Sequence, residues 1–335
     1  MIFIFFKMIY YLKHNEINLE KWDRCINNSI NGRVYALSWY LDTVCKNWDA
    51  LVEDDYNSVM PITWRKKYGI HYLFQPHFTQ QLGIFSSKNL SPDEIKIFLN
   101  AIPEKFKFAE ICLNIENSSV LIDENEEGFL NKKAGFDLFD SNSLAAIKYE
   151  KKINCELDLS QPYGNIFKNY SENTRRNIKK AEERKVKIMS EKISIGSVIE
   201  IFKNNKGKEF PHLKTEYFDI LKNLILLAEE KKMLHIIGSF NNENKLIAGM
   251  VFLVYRKRAI FLFSASNQLA KESGAIFLLI DRYISEHCEK QSILDFEGSN
   301  NLNLARFYKS FGAKEYVFLQ LKKNNLPKYI RWLKK

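Results

Sequence analysis

The sequence predicts an α/β (α+β) protein of two tandem domains, each a mixed, twisted sheet flanked by helices. Three observations carry this expectation. Strand-like runs alternate with helical ones along the whole chain. The same order of elements occurs near residues 91–150 and again near 274–323. The length of 335 residues, 46% of them hydrophobic and 14% aromatic, suffices for two packed cores. No Pro/Gly/Ser-rich linker is visible, so the domains are expected to pack closely with a boundary near residue 152, as 1–152 and 153–335.

The opening run MIFIFFKMIYYL is interrupted by Lys7, is too short to span a bilayer and lacks a small-residue cleavage site, so it reads as a first strand. WDALVE, SVMPITWRKKYG, IHYLFQP and QQLGIFS follow as strands. SPDEIKIFLNAIPEKF opens a helix with Ser91 as N-cap and Pro92 at the next position. The strand FAEICLNI, a helix ending FLNKKAGF and the strand SLAAIKYEKK complete the first half. In the second half MLHIIGSF, LIAGMVFLVYRK and RAIFLFSAS are strands, with an NNEN turn between the first two. The amphipathic helix GAIFLLIDRYISEHCEK, the strand SILDFEGS, the helix NLARFYKSFG and the strand KEYVFLQLKK close the chain.

A net charge of +10 favours an anionic partner, whether nucleic acid, a phosphorylated or nucleotide-linked small molecule, or an acidic membrane surface; a solvated, lysine-rich exterior accounts for it equally well. Five scattered cysteines without a CxxC pair suit reduced, buried thiols in a cytoplasmic protein, either free or peripheral at the membrane, since no later run reaches transmembrane length. The six histidines lack metal-site spacing, so no metal is expected. Ser-His-Asp and P-loop patterns are absent.

Four stretches can carry chemistry. In TRRNIKKAEERKVK, Thr174, Ile178 and Ala181 continue a core stripe begun by Phe167 and Tyr170, while residues 175–187 hold seven Lys/Arg against two Glu. Arg175, Arg176 and Lys179 are candidate phosphate-binding residues; the alternative is a solvated helix face partnered by Glu172, Glu182 and Glu183. In LDFEGSNNLNLARFYKSFG, strand alternation puts Asp295 and Glu297 on one face and Phe296 on the other, with Gly298 and Ser299 ending the strand. Asn300 or Asn301 then caps a helix whose buried stripe is Leu304, Phe307, Tyr308 and Phe311, with Arg306 and Lys309 on open faces and Gly312 as the stop. Acids, cations and a helix start in one small volume fit acyl transfer, with Glu297 or Asp295 as base and Tyr308 and Lys309 near the developing charge; the alternative, which the residues alone favour, is a structural Glu297–Arg306 or Asp295–Lys309 pair tying strand to helix. Ser264, Ser266 and Asn267 end a strand before a helix starting near Gly274, where coenzyme-A-dependent acetyltransferases place a Q/RxxGxG/A turn; Lys271 and Ser273 stand where that turn needs glycine and a small residue. In the first domain Trp64, Gln75, Gln80, Gln81 and His77 are candidates to line a substrate cleft between the domains, or else a well-packed polar turn.

NYSENTRRNIKKAEERKVKI resembles the segment that opens the second domain of Fem-type peptidoglycan aminoacyltransferases, and LDFEGSNNLNLARFYKSFGAKEYVFLQL resembles that family's closing strand–helix–strand. WRKKYGIHYLFQPHFTQQLGIFS is similar to the first domain of a Fem-like, Bacteroidetes-like subgroup of the GNAT (general amine N-acetyltransferase) superfamily. The resemblance runs from about Ser38 to Lys323 and implies two tandem GNAT-like domains. It also implies transfer of an acyl or aminoacyl group to a primary amine of a cell-envelope precursor. The donor it implies is aminoacyl-tRNA, or alternatively acetyl-CoA or acyl-CoA acting on a surface sugar or lipid amine, with no tightly held cofactor. The chain departs from the family in reading Phe307-Tyr308-Lys309 where Phe-Lys is frequent, and in lacking a long charged helical arm in 193–232. A non-enzymatic GNAT pair that binds RNA or an acidic partner is the third reading.

Overall fold

The computed structural model describes residues 8–122, 147–190, 193–209, 215–298, 300–327 and 331. In chain order the elements are β1 (Ile9–Leu12), α1 (Leu19–Asn28), α2 (Ser38–Val44), β2 (Trp48–Glu53), β3 (Ser58–Lys67), β4 (Ile70–Leu73), β5 (Phe85–Ser86), α3 (Pro92–Asn100), β6 (Phe106–Cys112) and α4 (Ile115–Leu121). Then come β7 (Lys148–Asp158), α5 (Tyr163–Lys168), α6 (Glu172–Glu183), β8 (Lys187–Met189), α7 (Ile195–Asn204), α8 (Thr215–Glu230) and β9 (Leu234–Phe240). Last are β10 (Leu246–Tyr255), β11 (Arg258–Ser266), α9 (Gln268–Ser273), α10 (Ala275–His287), β12 (Ile293–Asp295), α11 (Leu302–Lys309) and β13 (Lys314–Asn324).

Local chemistry explains the element ends. Ser91 accepts from the N–H of Glu94 while the Glu94 carboxylate accepts from that of Ser91, a reciprocal cap that starts α3. Ser171 caps α6 in the same acceptor role toward Thr174, and Thr174, Ile178 and Ala181 form its buried stripe. The helix read as ending FLNKKAGF lies outside the described residues. QQLGIFS forms a strand only at Phe85–Ser86. Gly83 (φ +95°) turns the chain there, and the Gln81 side chain accepts from the N–H of Ile115.

The chain divides into two compact units, Met1–Lys152 with Val317–Lys335, and Ile153–Tyr316. In the first the strand order is β1-β2-β3-β4-β6-β13, antiparallel except for the pair β4/β6, with β5 beside β3. In the second it is β8-β9-β10-β11-β12-β7, antiparallel except for β11/β12. The two orders match strand for strand, so the repeat in the sequence is a repeat of topology.

The closing strands are exchanged between the repeats. β13 follows the second repeat but pairs with β6, from Gln320↔Cys112 to Asn324↔Phe108. β7 follows the first repeat but pairs with β12, through Leu294↔Leu157. The sequence-based boundary assigned everything after 152 to the second domain, whereas the tail from Val317 belongs to the first. The reason is burial: Leu319 and Leu321 join the first unit's core with Phe98, Ile111 and Leu113. The second core gathers around Phe252, Phe261, Leu279, Tyr283, Phe296 and Phe311.

Candidate functional site

In the second unit the parallel strands β11 and β12 pair only over Arg258↔Ile293, Ala259↔Leu294 and Ile260↔Asp295. Two features then part them. The ladder between β10 and β11 steps from Phe252↔Phe261 to Val251↔Phe263, leaving Leu262 as a bulge that bends β11. On the far side the chain leaves β11 and follows β7, because the Phe296 N–H donates to the Cys155 carbonyl at 2.9 Å. Glu297 (φ +53°) and Gly298 (φ +48°) then turn through the left-handed region. The resulting wedge holds a cavity of about 570 Å³, within the range of small-molecule sites.

The wedge has an aromatic floor and a polar wall. Phe296 and Tyr308 stack with ring centres 4.5 Å apart, and Phe261 meets both edge-on at 6.2 Å. Glu297, Tyr308, Tyr217, Ser264 and Ser266 line it, and Lys206, Lys271 and Glu209 stand on its more exposed part. Burial, and then the Glu297 carboxylate, pushes the Tyr217 phenol up to about 12 and the Tyr308 phenol higher still. Both therefore stay protonated at neutral pH and can donate a hydrogen bond or a proton, while Glu297 is placed beside them as an acceptor.

Several residues singled out from the sequence stand elsewhere. β12 ends at Asp295, so the alternation that put Asp295 and Glu297 on one face stops one residue too soon. Asp295 is 1% exposed and is not a base facing the wedge. Its carboxylate binds Arg258 at 2.7 Å and Asn154 at 3.0 Å, and accepts the Glu297 N–H at 2.9 Å. Its ion-pair partner is thus a strand arginine, not Lys309. Lys309 pairs with Glu315 at 2.8 Å and does not line the cavity; Lys206 and Lys271 supply cations there instead. Arg306 lies exposed on α11. Asn301 caps that helix, while Asn300 accepts from the Ile153 N–H. Ser299 lies outside the described residues.

The Asn267 side chain accepts from the N–H of Ala270, starting α9 in place of a glycine-rich turn, and its carbonyl takes the N–H of Lys271. The Ala270, Lys271 and Gly274 N–H groups are thus bonded within the chain rather than gathered around a cradle for diphosphate. Gly274 (φ +78°) ends α9 and starts α10; a Cβ there would lie 2.4 Å from the Asn177 carbonyl of α6. On α6, Arg175 donates to the Lys168 carbonyl at 2.8 Å and lies over the Phe167 ring, Lys179 faces Glu183 at 3.9 Å, and Arg176 is exposed.

The first unit carries the equivalent parting of β4 from β6, and there it is bridged. The Gln75 side chain accepts from the Cys112 N–H at 3.0 Å and donates to the Thr79 carbonyl at 2.9 Å, crossing the gap in place of ladder bonds. The space left, lined by Gln75, Glu110 and Gln320 among others, is about 260 Å³, less than half that of the second unit. Gln81 is 1% exposed and donates to Gln80, and Trp64 packs on His71 and Phe106. Gln75, Gln80, Gln81 and Trp64 thus make these contacts within the first unit. His77 is exposed.

Tyr217 and Lys206 were not legible as site residues. Tyr217 sits beside the α8 core stripe of Phe218, Leu221 and Ile225, and nothing in that pattern distinguishes it from a packing residue.

No protein-family model matches the sequence, and no curated protein matches it. Solved structures do. The chain is similar to FemX, at a TM-score of 0.63 and 11% identity over 95% of this chain and 98% of that one. It is similar to the C-terminal domain of a putative lysylphosphatidylglycerol synthetase from Agrobacterium fabrum, at 0.54 and 10% over 94% and 95%. It is also similar to a tandem GNAT protein from the clavulanic acid biosynthesis pathway, at 0.51 and 9% over 96% and 100%. The protein has the tandem GNAT fold of these Fem- and GNAT-type structures.

Proposed function

We propose that the protein is a cytoplasmic N-acyltransferase that moves an acyl or aminoacyl group onto a primary amine of a cell-envelope precursor, with the β11/β12 wedge as its reaction site. The observation that carries this reading is the open parting of the parallel strands with Glu297 and the protonated Tyr308 on one wall. The envelope acceptor comes from the Fem-type resemblance and from the lysylphosphatidylglycerol synthetase that shares the fold.

In this mechanism the amine attacks the acyl carbonyl in the wedge and Glu297 takes the proton it loses. An N–C bond forms, and the ester C–O or thioester C–S bond breaks. The departing oxygen or sulfur receives the Tyr308 proton, which Glu297 returns through solvent. Tyr217 and the unpaired edge of β11 beyond Ile260 offer donors to the tetrahedral oxyanion.

The turn Gln268–Gly274 supports an aminoacyl-tRNA donor over a coenzyme A thioester, because Lys271 and Ser273 stand where the coenzyme turn needs glycine and a small residue, and the Ala270, Lys271 and Gly274 N–H groups are bonded within the chain. Lys206 and Lys271 on the cavity and Arg175, Arg176 and Lys179 on α6 would meet carrier phosphates.

The test is to incubate purified protein with envelope precursors and either an aminoacyl-tRNA pool or acetyl-CoA, reading acyl mass increments by mass spectrometry. Glu297→Gln should lower the initial rate by roughly 10²- to 10⁴-fold with no change in melting temperature. Full activity in that variant refutes the site, and turnover with acetyl-CoA alone shifts the donor to the coenzyme reading.

A further inference from the structure

The β3–β4 hairpin of the first unit carries the most exposed large hydrophobic side chain among the described residues. Its strands pair Trp64↔Leu73, Arg65↔Tyr72, Lys66↔His71 and Lys67↔Ile70, so Tyr68 and Gly69 form the two-residue loop. Both have positive φ, +51° and +78°. That turn favours Asn-Gly, because a bulky side chain in the left-handed region is strained. Here the strained position holds a tyrosine that is 91% exposed, so no core packing accounts for it.

Cations line the hairpin, with Lys67 beside the Tyr68 ring and the Arg65 guanidinium over the Phe74 ring at 4.1 Å. Arg65, Lys66 and Lys67 are exposed, and the Lys67 ammonium lies 5.3 Å from the Tyr68 ring centre. The Lys105 ammonium is anchored over the Tyr11 and Phe106 rings at 4.7 and 5.0 Å. The His71 imidazole is held below its usual value first by desolvation and then by the nearby charges of Lys66 and Lys105.

We propose that this hairpin docks the protein on an anionic lipid bilayer, with Tyr68 at the headgroup boundary and Arg65, Lys66, Lys67 and Lys105 against acidic headgroups. A tyrosine ring with its hydroxyl suits the wet side of that boundary, and adjacent cations add electrostatic attraction to an acidic leaflet. A single-stranded nucleic acid fits the geometry less well, since it needs a groove with successive open aromatic platforms. Here one ring stands alone at a hairpin tip with an ammonium group beside it. The proposal is independent of the transfer site in the second unit.

The full-length protein is sedimented with vesicles of phosphatidylcholine alone or mixed with phosphatidylglycerol. Binding should require the anionic lipid and weaken as salt rises. Lys66→Ala with Lys67→Ala should lower partitioning about thirtyfold. Tyr68→Asn is the sharper probe: it suits the turn, so thermal stability should hold or rise while binding falls several-fold, and Tyr68→Trp should restore binding. Absence of vesicle binding, equal binding to neutral vesicles, or unchanged binding in both variants overturns the proposal. Tighter binding to a single-stranded RNA oligomer, lost in the same variants, overturns it in favour of nucleic acid.

Discussion

Asp295 and Glu297 differ in role because of a single backbone turn between them. The Asp295 carboxylate is buried with Arg258, Glu156 and Asn154, and it also accepts the Glu297 N–H. One arginine serves two carboxylates there, so removing Asp295 leaves Arg258 and Asn154 still bonded to Glu156 and takes the acceptor from the Glu297 N–H. Asp295→Ala should destabilise the fold by about 1–3 kcal/mol, and Asp295→Asn by less, since the amide oxygen can still accept the Glu297 N–H. Urea midpoints of the two variants check this; equal and small losses would mean the cluster is unimportant. For Tyr308, burial and Glu297 keep the phenol protonated beyond the ordinary tyrosine value of 10.0. The pH–rate profile of transfer should therefore show no alkaline decline centred at pH 10.0, and Tyr308→Phe should cost about 10- to 100-fold in kcat.

At the scale of elements, the wedge depends on where strands stop pairing. A bulge at Leu262 and the Phe296–Cys155 bond part β11 from β12, whereas Gln75 stitches the same gap in the first unit. Most elements could be read from the sequence, because RAIFLFSAS and WDALVE are buried strands between turn residues and SPDEIK carries its cap in plain view. The end of β12 could not: SILDFEGS keeps strand-like residues up to Gly298, yet pairing stops at Asp295. Hydrogen-bond partners chosen across the fold decide that, not local propensity. In the core of the second unit, His235 packs edge-on to His287 and Tyr283 and beside Phe252. Burial, and then His287, pushes its imidazole down to about 4 from 6.5. The unfolded chain thus binds a proton that the folded state refuses, so stability should fall as pH drops from 6.5 toward 4. Urea unfolding at a series of pH values tests this, and His235→Phe should flatten the dependence over that window.

At the scale of the whole molecule, the exchange of closing strands makes each unit need the other's chain. Residues from Val317 onward supply Leu319 and Leu321 to the first core and pair with β6. A chain ended at Tyr316 should therefore lose cooperative folding of the first unit, because an edge of β6 is bared and two buried leucines, each worth about 2–5 kcal/mol, are gone. Two unfolding transitions in calorimetry, or aggregation on expression, would support this; an unchanged melting temperature would refute it. A cut at 152 should fail for the same reason.

The sequence by itself determined the elements, their duplicated order, the basic surface of α6 and the stretch around Gly298 where a site would lie. It did so because hydrophobic period, caps and turn residues are local properties of the chain. Only the tertiary structure decided that β13 returns to the first unit, that Asp295 is sealed against Arg258, and that Tyr217, Lys206 and Lys271 share the wedge with Glu297. Those outcomes depend on which distant backbone groups complete each other's hydrogen bonds and which side chains desolvate each other, and no local pattern encodes them.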